Sequence, residues 1–82
     1  NPFNPSTSIQ YQLPEAGFVT LEVFDVNGRK IKTLINSQQN AGYKTVMWNG
    51  TNDAGMPVST GMYIYSLRSG DKVINKRMTF MK

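Results

Sequence analysis

The apolar residues of this chain recur at every second position in several short runs, and this alternation restricts its fold more than any other feature. Ile9, Tyr11 and Leu13 alternate with polar residues in the first run, and the run that begins at Phe18 repeats the pattern. A period of two places successive side chains on opposite faces of a β-strand, so one face of each run is expected in a core. No stretch keeps helical spacing over about three turns. The pattern therefore predicts an all-β fold.

Residues that favour turns separate these runs and give the predicted order of strands. Asn27-Gly28 lies between two runs and is a strong hairpin signal, because both residues tolerate positive φ. The polar segment 36–42 contains nothing to bury and predicts a loop. The predicted strands are 7–13, 18–25, 29–35, 43–49, 61–68 and 72–82, with a short edge strand at 56–59. This order predicts an antiparallel immunoglobulin-like β-sandwich of about seven strands, with a six-stranded barrel as the alternative.

The predicted core consists of the inward-facing residues of these strands. Its members are Ile9, Tyr11, Leu13, Val19, Leu21, Val23, Val46, Trp48 and Leu67. In the last strand Ile74, Met78 and Phe80 share one face, which is expected to be internal. The 82 residues fit one domain, predicted at 7–82 after a short leader at 1–6. A domain this short buries only about 60–65% of the surface that its unfolded chain exposes, so the core is small.

The composition removes several kinds of catalytic and metal chemistry. The chain has no cysteine and no histidine, which excludes disulfides, thiolate zinc sites and the most common general base. The five carboxylates are Glu15, Glu22, Asp25, Asp53 and Asp71. They fall in predicted turns or on a solvent face, rather than in the facing pair that a glycosidase needs. We therefore expect no catalytic residue, no metal, no cofactor and no small-molecule substrate.

Two segments have the residue types of a ligand site, and in both a structural interpretation is favoured. The loop 49–55 carries Asn49, Asn52 and Asp53, but calcium needs six to eight oxygens and usually more than one carboxylate, so a turn-rich loop is expected. The aromatic residues Trp48, Tyr63 and Tyr65 could form a sugar-binding platform. Trp48 shares its face with Val46, however, and burial is the more common fate of inward aromatic rings.

Basic residues are concentrated toward the C-terminal end of the chain. The net charge is +4, from nine Lys and Arg against five Asp and Glu. Lys72, Lys76, Arg77 and Lys82 lie on or beside the last predicted strand. A nucleic-acid site would interleave such charges with exposed aromatic rings, which are not expected here. Two interpretations stay open: the charges protect an edge strand from unwanted pairing, or another protein recognises them.

Several segments together resemble a known family. They are the leader "NPFNP", "DVNGR" at the hairpin, "WNG", "GMY" and the basic closing "KRMTFMK". With the strands between them, they resemble the C-terminal sorting domains of type IX secretion cargo. They equally resemble the immunoglobulin-like domain that these share with the flagellar hook-capping protein. The resemblance covers essentially the whole chain.

The resemblance implies a non-catalytic module that directs a larger cargo to the cell surface or the medium by way of the periplasm. Its implied partners are an outer-membrane translocon, a sortase-like peptidase and an N-terminal cargo domain. The implied recognition residues are Gly61, Tyr63, Gly70, Lys76, Arg77 and Lys82. The implied cargo junction consists of Asn1, Pro2, Phe3, Asn4 and Pro5. The alternatives are a structural or accessory domain that supports a neighbouring domain or assembly, and a carbohydrate-binding module.

Overall fold

The computed structural model describes residues 6–82, and the regular elements in this range are six β-strands. They are β1 (Thr7–Leu13), β2 (Gly17–Asp25), β3 (Lys30–Gln39), β4 (Gly42–Trp48), β5 (Gly61–Ser69) and β6 (Lys72–Phe80). The predicted junction residues Asn1, Pro2, Phe3, Asn4 and Pro5 lie outside the described residues. The all-β prediction is confirmed.

Two antiparallel sheets form the fold. The larger sheet has the order β3-β2-β5-β6, and the smaller sheet pairs β1 with β4. Buried residues of β1, β2 and β5 make one hydrophobic cluster, so the two sheets pack face to face. Because the sheets are separate, the fold is a sandwich rather than the six-stranded barrel.

Two predicted segments differ from the structure. The segment 36–42 was expected to be a loop, but β3 continues to Gln39, with Asn36 opposite Thr20 and Gln38 opposite Phe18. Residues 36–38 are exposed, so backbone pairing with β2 rather than burial holds this polar extension in the sheet. Polar residues are tolerated here because β3 is an edge strand. The predicted strand at 56–59 is reduced to an isolated bridge between Thr51 and Pro57. The bridge is held by hydrogen bonds from the Asn52 N–H to the Met56 carbonyl oxygen and from the Val58 N–H to the Gly50 carbonyl oxygen. Proline is tolerated between them because its nitrogen faces away from the partner strand.

The core has two clusters along the sandwich. The first contains Ile9, Leu13, Val19, Leu21 and Leu67, and the second contains Val23, Trp48, Tyr63 and Phe80. Tyr11 and Val46, also predicted as core, are half-buried and pack against the first cluster. The Tyr63 ring meets the Trp48 ring edge-on, with centroids 5.0 Å apart. The Phe80 ring lies 5.1 Å from Trp48 on a tilted plane.

Strand β6 differs between its two halves. Phe80 is buried and Met78 is half-buried, as predicted, whereas Ile74 keeps 48% of its surface exposed. All residues from 72 to 77 are exposed. Ile74 is opposite Leu67 and shares its face of the sheet, but the packing that buries Leu67 does not reach Ile74. The prediction of an internal face along the whole strand is wrong for Ile74.

Candidate interaction surface

The predicted recognition residues lie along the β5–β6 hairpin but do not form one cluster. Gly61 begins β5 opposite Phe80, and Gly70 lies in the turn at the other end of the hairpin. A nine-residue strand is about 30 Å long at roughly 3.3 Å per residue. A partner that contacted both glycines would therefore have to follow the whole hairpin.

The turn that joins β5 and β6 is tight and opens onto a groove. Ser69 pairs with Lys72, so Gly70 and Asp71 are the two loop residues. Gly70 has φ +61°, which suits a hairpin turn with glycine at its first central position. A groove of about 460 Å³ lies between this turn and the β1–β2 turn, lined by residues 13–18 and 69–72.

Tyr63 is part of the core. Its side chain is 6% exposed, and its hydroxyl donates a hydrogen bond to the Ser59 carbonyl oxygen over 2.7 Å. The ring packs edge-on against Trp48. In this arrangement Tyr63 positions the chain before β5, and its ring is not available to a partner.

Contacts hold the C-terminal half of β6 against the rest of the domain. The Thr7 hydroxyl donates to the Thr79 carbonyl oxygen over 3.4 Å. Beyond β6, the backbone N–H of Lys82 donates to the Thr60 hydroxyl oxygen over 3.3 Å. With Phe80 in the core, this end of the strand is a structural element.

The N-terminal half of β6 carries the exposed cations. Lys76 is opposite Tyr65, and Arg77 is opposite Ile64, so these two side chains point to opposite faces of the sheet. Within residues 6–82, the ion pairs are Arg29 with Asp25 and Lys30 with Glu22. Neither Lys76 nor Arg77 is therefore neutralised by a carboxylate in the described part of the chain.

Three of the five carboxylates have structural partners: Glu22 pairs with Lys30, and Asp25 and Asp53 accept hydrogen bonds from the backbone. Asp25 Oδ1 accepts hydrogen bonds from the backbone N–H groups of Asn27 and Arg29. Its Oδ2 lies 3.1 Å from Arg29 Nε. These hydrogen bonds, foremost the one that the Arg29 N–H donates, lower the pKa of Asp25. Asp53 Oδ1 accepts from the Thr33 N–H over 3.0 Å. In residues 6–82 no three acidic, histidine or cysteine residues cluster as metal ligands would.

The loop 49–55 uses its side-chain oxygens on its own chain. Asn52 Oδ1 accepts from the N–H groups of Ala54 and Met56, and Asn49 Oδ1 accepts from the Thr51 hydroxyl. This geometry agrees with the turn interpretation.

The aromatic residues also fit the structural interpretation. Trp48 is fully buried, and its indole N–H donates to the Thr51 carbonyl oxygen over 2.9 Å. With Tyr63 also buried, these residues form no exposed platform for a sugar ring.

Sequence reasoning missed one surface feature of this hairpin. Val73 and Ile74 point to opposite faces of β6, and each is 48% exposed. The signal was present, because a run of Lys, Val and Ile with charges on both sides is typical of an uncovered edge strand.

The fold, its packed aromatic cluster and the structural use of its carboxylates define a small immunoglobulin-like β-sandwich domain. A family model described as the FlgD Ig-like domain matches residues 4–72. The chain therefore belongs to the FlgD Ig-like domain family. The comparison with curated proteins gives no match. Among residues 6–82 no helix has the length and apolar character needed to cross a bilayer.

Two solved structures have the same fold. FlgD from P. aeruginosa superposes with a TM-score of 0.74 at 23% identity, over 93% of this chain and 60% of that protein. FlgD from Xanthomonas campestris, which is described in connection with hook capping essential for flagellar assembly, superposes with a TM-score of 0.71 at 26% identity. That match covers 94% of this chain and 56% of the Xanthomonas protein. The chain thus spans less than two thirds of either protein.

Proposed function

We propose that this chain is a non-catalytic structural module of a longer protein, in which it supports the assembly of that protein with other chains. The observation that carries the proposal is the family match over residues 4–72. The Xanthomonas relative, whose description concerns hook capping in flagellar assembly, supports a role in assembly rather than in chemistry. Neither a catalytic nor a metal-binding role has support in the side chains of residues 6–82, because the carboxylates Asp25 and Asp53 serve the fold.

The test removes this domain from its parent protein and measures the size of the complexes that the parent forms. In extracts of the source organism, size-exclusion chromatography of the parent without residues 6–82 should show a shift from a large complex to smaller species. A parent with Glu15→Gln in an exposed turn is the control and should keep its complex. Complexes of unchanged size without the domain would refute the assembly role.

A second candidate function is sorting by type IX secretion. One observation favours it: the last strand presents Lys76 and Arg77 to solvent without an ionic partner in the described residues. An outer-membrane translocon would recognise the hairpin and the basic strand, and a peptidase would cut near residues 1–5. The protein would then reach the cell surface or the medium.

Export of a reporter separates this candidate from the assembly role. The 82-residue chain is fused to the C-terminus of a periplasmic fluorescent protein in a host with type IX secretion. Sorting predicts fluorescence in the medium or on the cell surface, and loss of export for the double variant Lys76→Glu, Arg77→Glu. Fluorescence that stays in the periplasm would contradict sorting and leave the assembly role in place.

A further inference from the structure

Strand β6 is a free edge of the larger sheet over most of its length. The order β3-β2-β5-β6 gives β6 a single neighbour, β5. Residues 72–77 are all exposed, and in the described part of the chain no strand pairs with their outer side. An edge of this kind presents backbone N–H and C=O groups that can pair with another chain.

The turn geometry identifies which backbone groups point outward. In a two-residue hairpin the closing pair, here Ser69 and Lys72, exchanges its backbone hydrogen bonds, and the pattern then alternates along the ladder. The N–H and C=O groups of Val73, Asn75 and Arg77 therefore point away from β5. Thr79 continues this series, and its carbonyl oxygen accepts from the Thr7 hydroxyl outside the sheet, as the alternation requires.

The side chains along this edge combine apolar surface with positive charge. Val73 and Ile74 are each 48% exposed on opposite faces. Lys72, Lys76 and Arg77 surround them, and the ion pairs found within residues 6–82 use none of these three. A strand added here would gain backbone hydrogen bonds, apolar contact on both faces and neutralisation of three cations.

The other edge of the same sheet is covered over Ile31 to Thr33, which lie across the sheet from residues 75–77. On β3, the carbonyl oxygen of Ile31 accepts from the Asp53 N–H over 2.9 Å, and the Thr33 N–H donates to Asp53 Oδ1 over 3.0 Å. Lys32 Nζ also donates to the Asn52 carbonyl oxygen. The loop that follows β4 thus satisfies outward groups at the start of β3, and no equivalent contact protects residues 73–77 in the described chain.

We propose that the outer edge of β6, from Val73 to Arg77, binds an extended acidic segment of a partner protein as an added antiparallel or parallel strand. This inference rests on the proposed function, because an assembly module must bind another chain. Charge identifies the partner: the chain carries +4 overall, the edge itself carries Lys76 and Arg77, and Lys72 directly precedes it. A second copy of this chain is a poorer partner, since it would place two sets of Lys72, Lys76 and Arg77 beside one another.

The test uses the 82-residue chain and a defined probe. The probe is a fluorescein-labelled peptide of valine and threonine that carries three glutamates, placed so that both faces of the extended peptide are acidic. A second peptide has lysine at the three glutamate positions. Fluorescence anisotropy at low ionic strength should show saturable binding of the acidic peptide and at least tenfold weaker binding of the basic one. In ¹⁵N NMR spectra the amide protons of Val73, Asn75 and Arg77 should become protected from exchange when the acidic peptide is added.

Matched variants separate charge from strand pairing. Lys76→Glu with Arg77→Glu should weaken binding at least tenfold. Lys30→Glu with Lys44→Glu makes the same change in net charge on β3 and β4 and should change binding less than threefold. Asn75→Pro removes one outward N–H without changing charge and should weaken binding about tenfold, whereas Asn75→Ala keeps that N–H and should bind as the unaltered chain does. Each variant is first checked for the unaltered NMR fold.

Each of the following outcomes would overturn the proposal. Equal binding by the two charge-reversal double variants would show attraction by net charge alone. Binding without protection of the three amides, or undiminished binding by folded Asn75→Pro, would exclude strand addition at this edge. A concentration-dependent dimer that protects the same amides without peptide would identify a second copy as the partner. Failure of the acidic peptide to bind would also overturn the proposal, whereas the proposed function would still be judged by the size of the parent protein's complexes.

Discussion

At the scale of single residues, the core is set by a few large side chains that meet near the end of the sandwich. Phe80 lies against Trp48, and Gly50 lies beneath the Phe80 ring. A Cβ on Gly50 would overlap that ring, and Gly50 also has φ +75°. Gly55 has a similar φ of +82°, but in residues 6–82 no atom beyond its two chain neighbours lies within 4 Å of the position of a Cβ there. The two glycines thus share a backbone requirement and differ in packing.

Substitution by alanine at these two positions separates the two effects. Gly55→Ala should lower the free energy of unfolding by about 1–2 kcal/mol, because alanine is strained at positive φ. Gly50→Ala should lower it by about 1–3 kcal/mol more, because the methyl group must displace the Phe80 ring. Urea unfolding followed by Trp48 fluorescence gives both values. Equal losses at the two positions would mean that the ring moves away without cost.

The inward residues were predictable because alternation marks one face of each strand. Seven of the nine predicted core residues are buried, and Tyr11 and Val46 are half-buried against the first cluster. The environment of the Tyr11 hydroxyl was not predictable from the residue type. A buried tyrosine hydroxyl usually has a hydrogen-bond partner, but this oxygen is buried without one among residues 6–82. Burial of the phenol raises the pKa of Tyr11. Burial was the favoured interpretation for Tyr63, although the resemblance also implied it as a recognition residue. Its contact with Trp48 could not be predicted, because that depends on how the two sheets meet.

At the scale of elements, the β2–β3 hairpin shows how a correct strand pairing can have an unexpected turn. Asn27-Gly28 was expected to use positive φ at both residues, but in residues 6–82 only glycines have positive φ. The Gly28 N–H donates to the Asp25 carbonyl oxygen, and the Asp25 N–H donates to the Arg29 carbonyl oxygen. This pattern matches the three-residue loop in which a turn is followed by a glycine with positive φ. The Asp25 carboxylate stabilises the loop in place of a second such residue.

The pH dependence of this turn follows from the lowered pKa of Asp25. Its usual value is 3.8, and the hydrogen bond from the Arg29 N–H is the main cause of the shift. A lowered pKa in the folded state means that the carboxylate stabilises the fold above its unfolded pKa, and that this contribution is lost as pH falls through the folded value. Titration by ¹³C NMR should therefore place Asp25 below 3.8. Asp25→Asn should remove this acid-dependent part of stability, and an unshifted Asp25 would contradict the turn geometry.

The extension of β3 and the two halves of β6 show where sequence patterns lose information. Residues 36–38 are polar and exposed, and pairing with β2 places them in a strand that alternation could not reveal. In β6, the apolar spacing continues through Ile74, but the cover from the smaller sheet does not. Alternation therefore identifies faces of strands, whereas the extent of cover depends on how the two sheets lie against each other.

At the scale of the whole molecule, the last strand serves the fold and the surface at once. Phe80 is 1% exposed within the second cluster, while residues 72–77 are exposed. Deletion of residues 72–82 would therefore remove core and surface together. A loss of function after such a deletion would not distinguish recognition of the strand from unfolding of the domain.

Truncations of two lengths should show how much of the C-terminal segment the fold requires. Removal of residues 72–82 should abolish cooperative unfolding, because loss of a buried Phe alone costs about 3–5 kcal/mol in a small domain. Removal of Met81 and Lys82 should cost less than about 1 kcal/mol, since both are exposed. Circular dichroism during thermal unfolding measures both. A folded chain that ends at Asp71 would show that β6 is not part of the cooperative unit.

The hydrogen bond from Thr7 to Thr79 has a consequence for how the domain would sit in a longer protein. It brings the first residue of β1 beside the second-last residue of β6, so β1 begins and β6 ends at the same end of the sandwich. In a host chain, the two positions that flank such a unit could therefore stay close together. The domain would then be attached to its host at one end only. It would project from the host as a side domain and would add almost nothing to the host's length.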